Sequence, residues 1–470
     1  MKKRYFILMF LVLLLAISAV SASENITNIE SNDSIGLSEH DSDVITNSSI
    51  DDVTDDSDSA ENVSYNLSGN DVENFLFKKP SYKFRLTDSG GKPVSNESVL
   101  LKLNGVNYYR VTDNQGFGNL DLSNLKLGKY VITAEYQNKS ISNNIKLMSI
   151  KATSKDIKTA YGTKTKFNIK LTDNFGNSVK NYKITVKIGS KKYHITTKSN
   201  GIATLSLNYN SGRYIIHYSG DGFSGKNHYT VKNKIKLSVL KWGNKGDITK
   251  TKLMNRSIAK YIWVKKAINA TAKGIPILKF KGGPGKVVFI TAGVHGNELA
   301  SQVAAMKMIK YLSKTPLKGT VYVVPFVNVK AISKKVRFTD KDYNRIAAKS
   351  GTIPNKIVKL IAKYNCDYYG DFHTTQPQGI PGKDVVMASK APNLKSYKIA
   401  KYIFNQCHVN KIIYDYAGQK YPGAIEGNVN LQGIPSVLCE VMLPHNTLNS
   451  KSIKLSFSMM KSLLNYSKVI

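Results

Sequence analysis

The sequence predicts a multidomain chain in which two all-β sandwiches precede an α/β domain with a mostly parallel, mixed sheet. Three observations lead there. Its 470 residues exceed one ordinary domain. Between positions 80 and 232, a pattern of alternating apolar and polar residues occurs twice at a near-constant offset. Beyond Lys241 that alternation gives way to continuous apolar runs separated by stretches of helical period. Hydrophobic residues make up 41% and charged residues 21%, close to globular averages, so most of the chain can bury a core. That excludes a chiefly disordered, collagen-like or polytopic membrane protein. Three cysteines exclude a disulfide-built scaffold.

Met1-Lys2-Lys3-Arg4 opens the chain, an unbroken apolar run follows from Tyr5 to Val20, and Ser21-Ala22-Ser23 supplies small residues. This is the three-part layout of a secretory signal peptide over residues 1–22, with cleavage after Ala22. Left uncleaved, the run would barely span a bilayer as an amino-terminal anchor, the one membrane attachment expected. Either way the remainder is expected outside the cytoplasm, secreted or associated with the cell surface. Residues 23–75 are rich in Ser, Asn and Asp and poor in large apolar groups. They are expected to form a disordered acidic linker, because so little apolar surface cannot offset chain entropy.

The net charge of +36 is unevenly spread. From Glu24 to Phe75 there are 14 acidic residues and no Lys or Arg, whereas residues 76–470 carry 65 basic and 18 acidic groups. A body of that charge is drawn to polyanions, and an anionic cell-wall polymer is the expected partner. The excess is Lys scattered along strands and loops, with no basic helix or stacking motif, so nucleic acid is not expected. For most of these lysines a solvated surface is explanation enough. The Lys-, Asn- and Ile-rich, Arg-poor composition points to a prokaryote with an AT-rich genome, and to an archaeon among these.

The repeat defines modules at 76–150 and 151–234. Leu86-Thr87-Asp88 recurs as Leu171-Thr172-Asp173, Val94 as Val179, Gly116 as Gly201 and Leu120 as Leu205, all 85 residues on; Gly128-Lys129-Tyr130 answers Gly212-Arg213-Tyr214 at 84. Runs such as Tyr182–Ile188 alternate apolar with polar, and turn residues separate them every 8–12 positions, as at Asp88-Ser89-Gly90-Gly91. Short antiparallel strands of a sandwich follow from that pattern. Each copy resembles the immunoglobulin-like modules strung along prokaryotic surface proteins and adhesins, which implies spacers or weak binders. His194, His217 and His228 lack a metal-like arrangement and are read as structural or surface residues.

The chemistry is expected in residues 240–470. Val287–Ala292 is a continuous β-branched apolar run, as in a strand buried on both faces. It ends in Gly293-Val294-His295-Gly296-Asn297-Glu298, and a helical period follows through Leu299, Val303, Met306 and Ile309. Further strands are expected at Val321–Val324, Asp367–Phe372 and Ser436–Val441, with helices near Asn355–Lys363, Leu394–Asn405 and Lys451–Leu464. Such alternation gives an α/β domain, whose polar site residues belong at the carboxyl ends of the strands. His295 and Glu298, at i and i+3 where strand turns into helix, can face one ion. His373, at the end of Asp371-Phe372-His373, can reach the same crevice. Two imidazoles and a carboxylate make a three-ligand site with an open position, the arrangement of catalytic zinc.

From residue 235 onward the only glutamates are Glu298, Glu426 and Glu440. Glu440 lies inside the apolar strand Val437–Val441, where a carboxylate needs a partner or a purpose. A general base beside metal-activated water is such a purpose. Arg337 and Arg345 stand out in a Lys-dominated chain, since a guanidinium offers a carboxylate or an oxyanion paired donors that Lys lacks.

Gly-x-His-Gly-Asn-Glu after a strand, Arg337 followed by Asn344-Arg345, Asp-x-His at a strand end and the late buried Glu440 together resemble the M14-like zinc carboxypeptidase superfamily. The nearer branch is the succinylglutamate desuccinylase/aspartoacylase type, and the resemblance runs from about Gly274 to Pro444. It implies one zinc ion on His295, Glu298 and His373, with Glu440 as general base. It also implies Arg337 at the oxyanion and Asn344 and Arg345 on a substrate carboxylate. A tyrosine often closes over such sites; Tyr414, Tyr416 and Tyr421 are candidates, and Tyr421 is assigned to substrate binding. Only about 30 residues of the sequence follow Glu440, so the extra carboxy-terminal domain of aspartoacylases is not expected here. The segment between Glu298 and His373 is also short for a digestive carboxypeptidase. The reading is therefore an exported zinc amidohydrolase, a metallocarboxypeptidase on extracellular or cell-wall peptides. Its alternatives are a deacylase of N-acyl amino acids and a surface adhesin with an inactive hydrolase domain. Cys366, Cys407 and Cys439 are read as buried thiols with at most one disulfide. His408 and His445 are read as structural or surface, Glu426 as a loop or pocket residue, and Thr374-Thr375 as hydroxyls that orient the site.

Overall fold

The computed structural model describes residues 64–470. The expected signal peptide and most of the expected acidic linker lie outside the described residues. In chain order the first β module has β1 (Tyr65–Gly69), β2 (Val72–Phe75), β3 (Ser81–Asp88), β4 (Ser98–Leu103), β5 (Val106–Val111), β6 (Phe117–Asp121), β7 (Gly128–Tyr136) and β8 (Lys139–Met148). They pair as two sheets, β1-β3-β6 and β2-β8-β7-β4-β5. Alternate residues of both sheets, among them Phe84, Leu86, Leu101, Ile132 and Leu147, close one buried apolar cluster. The linker expectation is corrected here. Tyr65–Phe75 forms two strands, because Tyr65, Leu67 and Val72 supply just enough apolar surface to pack on that cluster.

The second β module repeats the plan with β9 (Ile150–Thr153), β10 (Ile157–Ala160), β11 (Thr165–Asp173), β12 (Lys183–Ile188), β13 (Lys191–Thr196), β14 (Ile202–Leu207), β15 (Gly212–Gly220) and β16 (Phe223–Lys232). Its sheets are β14-β11-β9 and β10-β16-β15-β12-β13, around Phe167, Ile169, Leu171, Ile184, Val186 and Ile216. The repeated glycines have a physical cause. A Cβ on Gly116 would stand 2.3 Å from the Leu86 carbonyl oxygen, and one on Gly201 2.5 Å from that of Leu171. Both also take a positive φ, +76° and +73°, which an L side chain resists.

The third part begins at β17 (Lys234–Leu240), six residues before the expected boundary, because β17 pairs antiparallel with β18 (Ile275–Lys281) at the edge of a new sheet. After α1 (Ile262–Ala270) and β18 come β19 (Lys286–Ala292), α2 (Leu299–Leu312), β20 (Gly319–Val324), α3 (Val329–Lys334), α4 (Ile353–Lys363), β21 (Tyr368–Thr375), β22 (Val385–Ala391), α5 (Lys395–Cys407), β23 (Lys411–Tyr416), α6 (Ile425–Leu431), β24 (Ser436–Met442) and α7 (Ser450–Tyr466). The sheet has eight strands, in the order β17-β18-β20-β19-β21-β24-β22-β23. It is mixed: β20-β19-β21-β24 run parallel, and β18 and β22 are antiparallel to that central set. The apolar runs of β19 and β20, with the buried β21 beside them, are its centre, and Phe289, Val321 and Tyr369 are fully enclosed.

Short side-chain contacts join this domain to the second module. Ser211 Oγ donates to the Leu317 carbonyl (3.1 Å) and accepts from Leu317 N (2.8 Å). Asn233 Nδ2 donates to the carbonyls of Leu312 (2.6 Å) and Thr315 (2.8 Å). The three cysteines are free, so there is no disulfide. Among the described residues no helix is long and apolar enough to cross a membrane.

Candidate metal centre

The parallel strands β19, β21 and β24 are neighbours, so their carboxyl ends open side by side. His295 follows β19, His373 lies in the last turn of pleat of β21, and Glu440 is the register partner of His373 on β24. Gly293 and Gly296 make the His295 turn possible. Gly293 has φ +72°, and a Cβ on Gly296 would stand 2.3 Å from the Ala331 carbonyl carbon. Glu298 precedes α2, which carries it back toward the strand ends.

His295, Glu298 and His373 meet as the sequence predicts. One donor atom from each lies within 4.8 Å of the other two, and all three side chains are buried. Glu298 Oε1 is 2.7 Å from His295 Nδ1, and Glu298 Oε2 is 2.8 Å from His373 Nδ1. The Thr374 main-chain N–H also donates to Oε2, at 3.0 Å. The expectation that the Thr374 hydroxyl orients the site is thus corrected: the amide makes the contact, and Thr374 Oγ1 has no partner.

Each imidazole is held from behind by a carboxylate. His295 Nε2 is 2.9 Å from Asp342 Oδ1, and His373 Nε2 is 3.0 Å from Asp371 Oδ2. Asp371 is itself anchored by the Thr291 hydroxyl at 2.7 Å. Carboxylates in this position fix ring orientation and raise ligand basicity. Neither Asp was singled out from the sequence. The signal was present in Asp-x-His, where i and i+2 share a strand face, but Asp342 reaches His295 only through the fold.

The electrostatics follow from this packing. Burial opposes a charge on Glu298, but His295 and His373 outweigh it and hold its carboxyl well below the usual range. Burial likewise opposes protonation of His373, yet Asp371 and Glu298 raise its pKa well above the ordinary value. Glu440 behaves oppositely: burial, then the Glu298 charge, push its carboxyl up to about 8. Its Oε2 is buried without a hydrogen-bond partner. An orphaned carboxylate oxygen beside two imidazoles and an acid is a place for a cation and a water. The N, N, O donor set fits a single zinc ion.

The remaining candidates divide. Arg337 donates from Nη1 to Glu298 Oε1 at 2.8 Å and has Nη2 3.8 Å from Asp342, so it borders the donor cluster. Asn344 is buried, with Nδ2 3.2 Å from His373 Nε2 and Oδ1 accepting from Ile425 N at 3.1 Å. The oxygen of this amide is therefore engaged in positioning α6, while its Nδ2 lies beside a His373 nitrogen that faces Asp371. Arg345 is exposed, with its guanidinium over the Tyr421 ring at 4.9 Å, so these two candidates stand together. Tyr414 and Tyr416 are half exposed on β23. His445, read from sequence as structural or surface, has Nε2 3.9 Å from Glu298 Oε1 and 3.0 Å from the Thr374 carbonyl. It borders the centre, and no sequence motif announced it.

Residues 284–378 match the family described as the succinylglutamate desuccinylase/aspartoacylase catalytic domain, a zinc-dependent family. All three candidate ligands fall inside that segment. The chain matches no curated protein. Among solved structures it is similar to a succinylglutamate desuccinylase/aspartoacylase from Rhodobacter sphaeroides, at 21% identity over 43% of this chain and 62% of that one, TM-score 0.35. It is also similar to the ectoine utilization protein EutE (DoeB) from Ruegeria pomeroyi, at 16% identity over 43% and 64%, TM-score 0.36. A third is the cell shape determinant protein Csd4 from Helicobacter pylori, at 17% identity over 40% and 51%, TM-score 0.34. The chain spans less than two thirds of the length of each of the three.

Proposed function

We propose that the carboxy-terminal domain is a zinc-dependent amide hydrolase, acting as a carboxypeptidase on peptides outside the cell. The observation that carries this reading is the buried meeting of His295, Glu298 and His373 beside the unpartnered Glu440 Oε2. A bound zinc ion supplies a Lewis acid for the scissile carbonyl and a positive charge that favours ionised Glu440. Glu440 Oε2 then takes a proton from water as that water adds to the carbonyl carbon, and returns it to the leaving nitrogen. The part of Arg337 left exposed faces the developing oxyanion. Arg345, braced on Tyr421, binds the substrate's free carboxylate. Asp342 and Asp371 hold the two imidazoles in register throughout.

Export, the two β modules as immunoglobulin-like spacers, and a wall-peptide substrate belong to the same proposal. The signal-like opening of the chain and the basic body support them. The test is mass-spectrometric mapping of products from wall peptides treated with the zinc-loaded protein and with Glu440→Gln. Loss of single carboxy-terminal residues with the first protein alone is expected. No cleavage of peptides with free carboxy-termini sinks the reading.

One observation favours a second reading, a deacylase of N-acyl amino acids: the family matched over residues 284–378 is named for two such activities. Hydrolysis of N-acetylaspartate or N-succinylglutamate faster than of any short peptide would establish it instead.

A further inference from the structure

The outer face of the five-stranded sheet in the second β module carries a concentrated positive charge. Strand register sets Lys192, Lys187, His217 and Lys226 in one row across β13, β12, β15 and β16. All four are exposed. Neighbouring strands lie about 4.8 Å apart, so the row runs for about 14 Å. Arg213 and Lys158 continue the face on either side of Thr230, where the sheet approaches Lys314–Pro316 of the carboxy-terminal domain. Like charges set opposite one another across a sheet are destabilising.

Few acids are present to relieve them. Residues 150–232 hold 15 Lys and Arg against Asp156, Asp173 and Asp221. Asp173 is spent on the main-chain N–H groups of Phe175 and Asn177 in a turn. Asp221 lies beyond the end of β15. Asp156 accepts from His228 N at 2.8 Å, and Asp71 does the same for Asn144 N in the first module, so that acid is structural in both.

The first module is an internal control. The row equivalent by register reads Asn107, Lys102, Thr133 and Ser142. Two lysines of this face are paired, Lys102 with Glu135 at 2.7 Å and Lys146 with Glu73 at 2.7 Å, and among the described residues Lys129 is left without an acid. At the repeat offset, Ser219 replaces Glu135 and Lys158 replaces Glu73. Residues 64–149 hold 11 Lys and Arg against 7 acids. One scaffold therefore carries a largely paired face in the first copy and a cationic face in the second, so the fold by itself does not explain the difference.

We propose that this face of the second module binds a linear anionic polysaccharide, one carrying a carboxylate or phosphate group along each repeat. Charge complementarity is the argument: three separated ammonium groups and an imidazole in one row, with Thr185, Ser219 and Ser224 as hydrogen-bonding neighbours on the next, match spaced anions on an extended chain. Nucleic acid is disfavoured, since Tyr193, Tyr214, Tyr218 and Tyr229 turn toward the core and leave no tyrosine ring on this face on which bases could stack. The proposal is independent of the hydrolase reading, because binding is measured without turnover.

The test uses the full chain, with polygalacturonate as the carboxylate polysaccharide, dextran phosphate as the phosphate polysaccharide, and neutral dextran and single-stranded DNA as contrasts. Lys187→Gln/Lys192→Gln/Lys226→Gln removes three charges from the row. Lys78→Gln/Lys92→Gln/Lys126→Gln removes three exposed charges from the first module at the same net charge. The row variant is expected to lose about tenfold or more in affinity for the anionic polymer, and its salt slope is expected to fall by about 2. The control variant and neutral dextran are expected to show no such change or binding. Preference between the two polymers identifies the anionic group. Equal losses in both variants, or no binding by the wild type at low salt, overturn the proposal. Tighter binding of DNA with the same loss in the row variant replaces the polysaccharide by nucleic acid.

Discussion

Glu426→Gln tests how this fold treats a buried acid. Glu426 sits on α6, 7% exposed, with Ser436 Oγ 3.0 Å from Oε1 and Ser389 Oγ 3.4 Å from Oε2. Burial pushes its carboxyl from 4.5 to about 8, and nearby Asp415 adds to the rise while Ser436 opposes it. The folded state therefore keeps a proton that the unfolded chain gives up near pH 4.5. The sign follows: wild-type stability falls as pH rises from 4.5 to about 8, then levels. At ~1.4 kcal/mol per pH unit the window is worth up to about 5 kcal/mol. Gln cannot titrate and should cost about 1 kcal/mol at pH 5 through a poorer match to the serines. Its stability relative to wild type is then expected to rise by about 3–5 kcal/mol between pH 5 and pH 8.5. Glu440 titrates in the same direction but cancels in the difference. Trp242 and Trp263, the protein's two tryptophans, both pack on the carboxy-terminal core, so tryptophan fluorescence during urea unfolding reads that domain. A variant-minus-wild-type difference flat across the range would refute the buried, protonated acid.

Four further outcomes follow from the centre. Asp342→Asn should weaken zinc binding about 10–100-fold while leaving the three ligands in place, read by chelator competition; unchanged affinity would remove Asp342 from the role of holding His295. Glu440→Gln should keep stoichiometric zinc, read by elemental analysis, and lose about 10²–10⁴ in kcat; full activity would end its role as base. Arg345→Met should raise KM for substrates with a free carboxylate by about tenfold or more and spare amidated ones, and equal effects on both would place Arg345 away from the carboxylate. Gly296→Ala should lower both thermal stability and zinc affinity, since its Cβ would meet the Ala331 backbone at 2.3 Å; a variant with wild-type Tm and zinc affinity would show that the His295 turn adapts.

Much of this was legible from local chemistry. Two-residue alternation and repeated turn glycines determine paired β modules, because both are constraints between near neighbours in the chain. The apolar runs of β19 and β20 likewise announced buried strands. His295 and Glu298 are three residues apart, so the chain itself joins them. Apart from Asp371, the residues that sequence reading missed act across long separations. His445, past the end of β24, borders Glu298, and Asp342 reaches back to His295. Such contacts depend on which strand ends lie side by side, and no periodicity records that. The strand pair Tyr65–Phe75 was hidden for a related reason, since its few apolar residues matter only against a core built by the rest of the module. By itself the sequence determined which residues could do chemistry and which elements carry them. The tertiary structure alone decided which of them share one buried volume, because a desolvated cluster is stable only where distant strands bring its compensating charges together.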